Sequence, residues 1–126
     1  MRLGFTGTRL GMTERQQSLL REKLLELNPG EIHHGDCIGA DAQCHAIAEE
    51  LGIRVIVHPP AEDKYRAYCK SPYVMLTETY LIRNRNIVCS CDMLIGCPAN
   101  SQAWSGTRYT IRYAETMGKS TIVILP

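Results

Sequence analysis

The chain has 126 residues, 44% of them hydrophobic, and a formal charge of +1 at neutral pH. That length fits one domain of common size, residues 1–126, with a core of its own. The near-zero balance excludes the broad basic surface of a protein that binds nucleic acid without regard to sequence, although it leaves room for a local patch.

Leu3–Thr6 reads as an opening strand ended by Gly7. Thr13–Gln16 has the spacing of a capping box, and Leu20, Leu24 and Leu27 then recur on one helical face until Asn28-Pro29-Gly30 stops them. Glu31–His34 is a second strand running into Gly35. A helix follows from about Gly39, with Ala40, Cys44, Ile47, Ala48 and Leu51 on one stripe and Gly52 just past its end. Ile53–Val57 is the third strand, closed by His58-Pro59-Pro60. The stretch from Ala61 to Val74 is polar and without period, and reads as a long excursion of the kind that often carries function. Helical character returns over Thr77–Ser90, Met93–Gly96 is a buried-type strand, and Cys97–Trp104 is another loop. Ser105 or Gly106 opens a last helix that runs to Met117, and Thr121–Leu125 closes the sheet.

Strands that alternate with helices and lack polar alternation indicate βαβ units around a parallel sheet. The expected fold is α/β: a single Rossmann-like domain, a mostly parallel sheet of about five strands, helices on both faces. Ligands in such folds bind beyond the carboxyl ends of the strands, and the motif-like segments of this chain fall there. No apolar run approaches the roughly 20 residues that span a bilayer. No leader-like segment precedes the first strand pattern, so a cytoplasmic domain without membrane contact is expected. The six cysteines lack paired Cys-x-x-Cys spacing, and read as reduced thiols serving as small apolar groups.

Four segments carry the chemistry. In Gly4-Phe5-Thr6-Gly7-Thr8-Arg9, Gly7 lets backbone amides approach an anion, Thr8 can donate to it, and Arg9 can clamp it with two parallel bonds. In Gly35-Asp36-Cys37-Ile38-Gly39-Ala40-Asp41 the glycines suit a strand-to-helix turn, while Asp36 and Asp41 suit ribose hydroxyls or the positive helix end. Arg83 and Arg85 lie about 200° apart on a helix, so at most one of them reaches a ligand. Ser105-Gly106-Thr107 opens a helix after a strand, gathering free amides, a hydroxyl and the helix dipole at one point. His33, His34 and His45 show no metal-ligand spacing and are read as structural or surface groups; no metal and no cofactor is expected.

In order and combination, Gly7-Thr8-Arg9, Gly35–Asp41 with His45, Arg83-Asn84-Arg85-Asn86-Ile87, Ser105-Gly106-Thr107 and Gly118-Lys119 resemble the superfamily that unites the DNA-processing protein DprA with the Lonely Guy (LOG) nucleotide hydrolases. The resemblance implies a Rossmann-like fold that binds a nucleotide, a nucleotide-derived small molecule or single-stranded nucleic acid, often as a homo-oligomer. LOG-like members cleave the N-glycosidic bond of a nucleoside monophosphate with a Pro-Gly-Gly-x-Gly-Thr-x-x-Glu motif. The matching stretch here is Pro98, an inserted loop, then Gly106-Thr107-Arg108-Tyr109-Thr110: the double glycine is missing and Thr110 stands where the glutamate would be. A threonine cannot act as a carboxylate base, so the expectation turns to binding, sensing or slow processing of a nucleotide. Asp36, Asp41 and Glu78 are the acids placed to substitute, and Asp41 is the nearest to the expected site. The DprA branch fits Arg83-Asn84-Arg85, and Tyr65, Tyr68 and Tyr73 interleave with Lys64, Arg66 and Lys70 as a strand-binding surface would.

Overall fold

The computed structural model describes residues 1–100 and 105–126. The expected loop over Cys97–Trp104 therefore lies partly outside the described residues. Six strands form one wholly parallel sheet: β1 (Arg2–Gly7), β2 (Glu31–His34), β3 (Arg54–Val57), β4 (Tyr73–Val74), β5 (Met93–Cys97) and β6 (Ser120–Val123), in the order β4-β3-β2-β1-β5-β6. Four helices connect them: α1 (Glu14–Leu27), α2 (Ala40–Glu50), α3 (Tyr80–Ser90) and α4 (Gly106–Thr116). The sixth strand is β4, a two-residue edge strand inside the stretch read from sequence as a loop. Its pairing with Ile56 and Val57 creates it, and local pattern does not.

The helix ends follow the sequence chemistry. Thr13 caps α1: its hydroxyl accepts from the Gln16 amide, and the Gln16 side chain accepts in return from the Thr13 amide. Asn28, at φ 45°, ends the helix in the left-handed conformation that asparagine tolerates. Helices α1 and α2 cover one face of the sheet, where Leu3, Phe5, Leu20, Leu24, Ile32, Cys44, Ala48, Val57, Ile95 and Cys97 form the main core. On the other face α3 and α4 close a smaller cluster of Ile87, Val88, Leu94, Ile111 and Ala114. Burying each large side chain contributes about 2 kcal/mol, so this two-sided burial fixes the sheet and holds its carboxyl edge in register. No helix among the described residues is long and apolar enough to cross a membrane.

Candidate functional site

The order in which strands are added reverses between β1 and β5: successive units build outward from β1 through β2 to β4, and then from β5 to β6 on the other side. That reversal opens a crevice at the carboxyl ends of β1 and β5, the place where α/β sheets take ligands. The loop after β1 is pinned on both sides of it. The Thr8 amide donates to the Cys97 carbonyl at the end of β5 (3.1 Å), and the Thr8 carbonyl accepts from Ala40 at the start of α2 (2.9 Å). The Thr8 hydroxyl caps its own turn by accepting from the Leu10 amide at 3.1 Å. Arg9 is exposed, and its guanidinium carbon lies 3.9 Å from the centre of the Tyr65 ring.

The turn between β2 and α2 is built around backbone that few residues adopt. Gly39 has φ 87°, and a Cβ there would stand 2.6 Å from the Arg9 carbonyl carbon, so the first and second loops meet at a position only glycine can fill. Asp36 is also left-handed at φ 56° and fully buried. Its carboxylate accepts from Arg66 Nε at 3.1 Å and the Cys69 amide at 2.8 Å, and its carbonyl accepts from the Ala67 amide at 2.7 Å. The side chain placed by sequence on the ribose side is thus the anchor of the 61–72 segment, which it straps over the turn.

Asp41, in the first turn of α2, is 5% exposed. One carboxylate oxygen, Oδ2, accepts from the Cys37 amide at 3.2 Å; the other, Oδ1, has no hydrogen-bond partner among the described residues. Burial pushes this carboxyl up to about 6, against the opposing pull of the Arg83 charge and of the Cys37 and Gly35 amides.

Arg83 and Arg85 separate as their helical spacing requires. Arg83 turns inward from α3 and is 5% exposed. It donates to the Gly35 carbonyl, to the His58 carbonyl at 3.3 Å and to Asn84 Oδ1 at 2.8 Å, and it approaches the Cys37 sulfur at 3.7 Å. The guanidinium occupies the space that a Cβ on Gly35 would need. Arg83 therefore ties α3 to the loops after β2 and β3 and brings its charge beside Cys37. Arg85 lies on the outer face of α3 and α4, donating to the Tyr109 hydroxyl at 3.1 Å, away from the crevice. Ser105 caps α4 by accepting from the Arg108 amide at 3.2 Å. Gly106 is exposed, a Cβ on it would meet nothing within 4 Å, and Thr107 is buried behind it. Thr110 is fully buried and its hydroxyl donates to the Gly106 carbonyl at 2.9 Å, so it faces its own helix.

Hydrogen bonds and close packing thus bring the Gly7–Arg9 loop against Gly39 and Ala40 and against the end of β5, the strand that precedes Ser105, Gly106 and Thr107 in the chain. Gly35 is held by Arg83, Asp36 is committed to Arg66 and Cys69, and Arg85 is committed to Tyr109. Tyr80, the first residue of α3, was not singled out from sequence. Its hydroxyl is buried without a hydrogen-bond partner among the described residues, and burial raises it; the charges that reach it belong to Cys37, Glu62, Arg83 and Arg9. Its place three residues before Arg83, on the same helix face, is the signal that could have found it.

His34, His45 and Cys69 bring three possible metal-ligating atoms within 4.8 Å of one another, a cluster invisible to spacing because β2, α2 and the 61–72 segment each supply one. The hydrogen bonds assign these atoms differently. The Asp36 amide donates to His34 Nδ1 (3.0 Å), which places the His34 proton on Nε2. That proton faces His45 Nδ1 at 2.8 Å, so His45 carries its own proton on Nε2, where Glu49 Oε1 and the Lys70 carbonyl each lie 3.0 Å away. A metal at His34 Nε2 would need the proton moved to Nδ1, against the Asp36 N–H, so the residues present do not fit a metal. Burial, helped by neighbouring positive charge, lowers His34 to about 3 and keeps it neutral. A cavity of about 510 Å³ lined by His45, Glu49, Arg54, Lys70 and Tyr73 lies beside the outer end of this relay, remote from the strand carboxyl ends.

No protein-family model and no curated protein matches the chain. Solved structures do. The molybdenum cofactor binding protein of the phototrophic bacterium Rippkaea orientalis is similar at 18% identity and a TM-score of 0.79, over 99% of this chain and 76% of that one. The molybdenum cofactor carrier protein of Chlamydomonas reinhardtii is similar at 18% identity and a TM-score of 0.74, over 99% and 76%. DNA processing protein A of Streptococcus pneumoniae is similar at 19% identity and a TM-score of 0.71, over 97% of this chain and 49% of that one. The Rossmann-like fold of this chain is the one shared by DprA and the molybdenum cofactor carrier proteins, the superfamily fold that its motifs resemble.

Proposed function

We propose that this protein binds a phosphate-bearing nucleotide or nucleotide-derived ligand in the crevice between the ends of β1 and β5. One observation carries the reading. The Thr8–Arg9 loop is bonded, through the Thr8 amide, to the Cys97 carbonyl at the end of β5, the strand that leads into α4, so the first loop lies at the switch point of the sheet. The amino-terminal turn of α4 offers backbone amides and the positive end of the helix dipole, and the exposed Arg9 offers a guanidinium that can swing from Tyr65 to a phosphate. The neighbours of like fold include proteins described as binding or carrying the molybdenum cofactor, and DprA, described as processing DNA. That range supports a ligand-binding edge and leaves its occupant to be measured.

A thermal-shift panel of nucleoside mono- and diphosphates, ADP-ribose and molybdenum cofactor tests the proposal. A ligand at 100 times its dissociation constant stabilises by about 2.7 kcal/mol, and Arg9→Ala should abolish most of the shift. The proposal fails if no member of the panel moves the transition. Release of free base from a bound monophosphate would instead establish an N-glycosidase, for which Asp41 is the candidate acid because Thr110 is committed to its helix. Oligonucleotide binding that falls steeply with salt would establish a strand-binding module. Against that last outcome, Arg9 and Arg66 already lie over the Tyr65 and Tyr68 rings. Self-association into a homo-oligomer belongs to the same proposal, and light scattering tests it.

A further inference from the structure

We propose that Asp41 and Tyr80 form the sugar-binding wall of this crevice and select ligands that carry ribose over those that carry deoxyribose. The inference rests on the nucleotide reading above and names the part of the ligand that the second and third loops take.

Two buried polar atoms on α2 and α3, Asp41 Oδ1 and Tyr80 Oη, lack partners among the described residues. Cys37 gives its amide to Asp41 Oδ2, its sulfur lies 3.7 Å from Arg83 Nη2, and the Arg83 guanidinium carbon lies 5.4 Å from the centre of the Tyr80 ring, so one run of contacts joins the two. A buried carboxylate oxygen and a buried phenol left unpaired each cost free energy. The pair calls for a group that donates to one and accepts from the other. A vicinal diol does both: one hydroxyl donates to the carboxylate, and the neighbouring oxygen accepts from the phenol.

The placement suits a nucleotide. From the α4 turn beyond β5 to the turn after β2 is two strand spacings, about 10 Å, the order of the reach from a 5′-phosphate to the far side of its ribose. Arg9 follows β1, the strand that lies between β2 and β5. A 2′-deoxy ligand would leave Asp41 Oδ1 unpaired at the bottom of an occupied site, and sites built to bond a hydroxyl reject the analogue that lacks it.

The test is calorimetric titration with the four ribonucleoside 5′-monophosphates and their 2′-deoxy and 2′,3′-dideoxy counterparts. It uses the wild-type chain, Tyr80→Phe, which keeps the ring, and Asp41→Asn, with circular dichroism as the folding control. The wild type should bind its preferred ribonucleotide at least tenfold more tightly than the deoxy form, the loss of about one charge-assisted hydrogen bond. In Asp41→Asn that ratio should collapse to within about twofold, and in Tyr80→Phe the preference for the 2′-deoxy over the 2′,3′-dideoxy form should do the same. Equal binding of both series by the wild type, or a 2′-hydroxyl preference that survives in Asp41→Asn together with a 3′-hydroxyl preference that survives in Tyr80→Phe, overturns the sugar wall and leaves the phosphate site standing. Binding of neither series removes the nucleotide pocket and this inference with it.

Discussion

Asp41 should destabilise the protein that it serves. Its carboxyl sits at about 6 against an ordinary 3.8, a difference of about two pKa units at about 1.4 kcal/mol each. The folded state therefore binds this proton more tightly than the unfolded state does. The protonated acid contributes its stability in full below pH 4, loses it as pH rises from 4 to 6, and leaves the ionised form about 3 kcal/mol worse off above pH 6. Asp41→Asn mimics the protonated acid in shape and keeps an oxygen for the Cys37 amide. Urea unfolding of both proteins from pH 4 to pH 8 isolates the effect, since every other group cancels in the difference. The variant should match the wild type at pH 4 and exceed it by about 3 kcal/mol at pH 8, roughly 10 °C in melting temperature for a domain of this size. A variant less stable than the wild type at pH 8 would refute the reasoning, because it would show that the carboxylate charge is held by Arg83 and the turn amides more strongly than burial opposes it. A gain in stability joined to a loss of ribose preference would mark Asp41 as a residue kept for binding.

Other perturbations have equally definite outcomes. Burial depresses His34 to about 3 and His58 to about 4, so both are neutral in the fold and their contribution, complete above pH 6.5, is lost as pH falls toward those values; His34→Gln should flatten the acid limb of the wild-type stability curve measured by denaturant. Gly39→Ala sets a Cβ against the Arg9 carbonyl at a φ of 87° and should cost at least 2–3 kcal/mol of unfolding free energy, with a merely neutral effect counting against the geometry of that turn. Zinc added at equimolar concentration should leave the melting temperature unchanged, and a zinc-dependent rise that Cys69→Ser removes would show that the His34 proton can be displaced. Arg66→Met should speed amide exchange at Ala67 and Cys69 while sparing Leu3 and Phe5 in the core, because it weakens only the bond to Asp36 Oδ2.

Much of this could be read along the chain wherever a local rule and a tertiary demand agreed. The Thr13–Gln16 reciprocal cap, the Asn28 stop and the Leu20–Leu24 face are set within a few residues of themselves, and they stand where the pattern put them. Tyr73 and Val74 give no strand signal of their own and pair only because β3 offers an edge. Helical geometry alone separates Arg83 from Arg85, but which of the two turns inward depends on the carbonyls of Gly35 and His58, contributed by two other loops. Asp36 was read as a ligand group because acids after a strand often are. Its bonds to residues 66 and 69 are contacts across about 30 positions, which no local pattern announces. The histidine relay has the same character: three rings and thiols that look unrelated in order become neighbours when β2 lies beside α2.

The strap anchored on Asp36 also constrains how this chain can change length over evolution. Residues 65 to 69 are measured against a fixed point: the Tyr65 carbonyl meets the Ile38 amide at 2.9 Å, the Ala67 amide meets the Asp36 carbonyl, and the Cys69 amide meets the Asp36 carboxylate. One residue gained or lost inside that run would put every later donor out of phase with its acceptor. Insertions at the exposed Glu62, ahead of the Asp63 carbonyl that accepts from the Arg66 amide, meet no such measure. Natural length variation in this excursion should therefore collect before the buckle and spare the buckle itself.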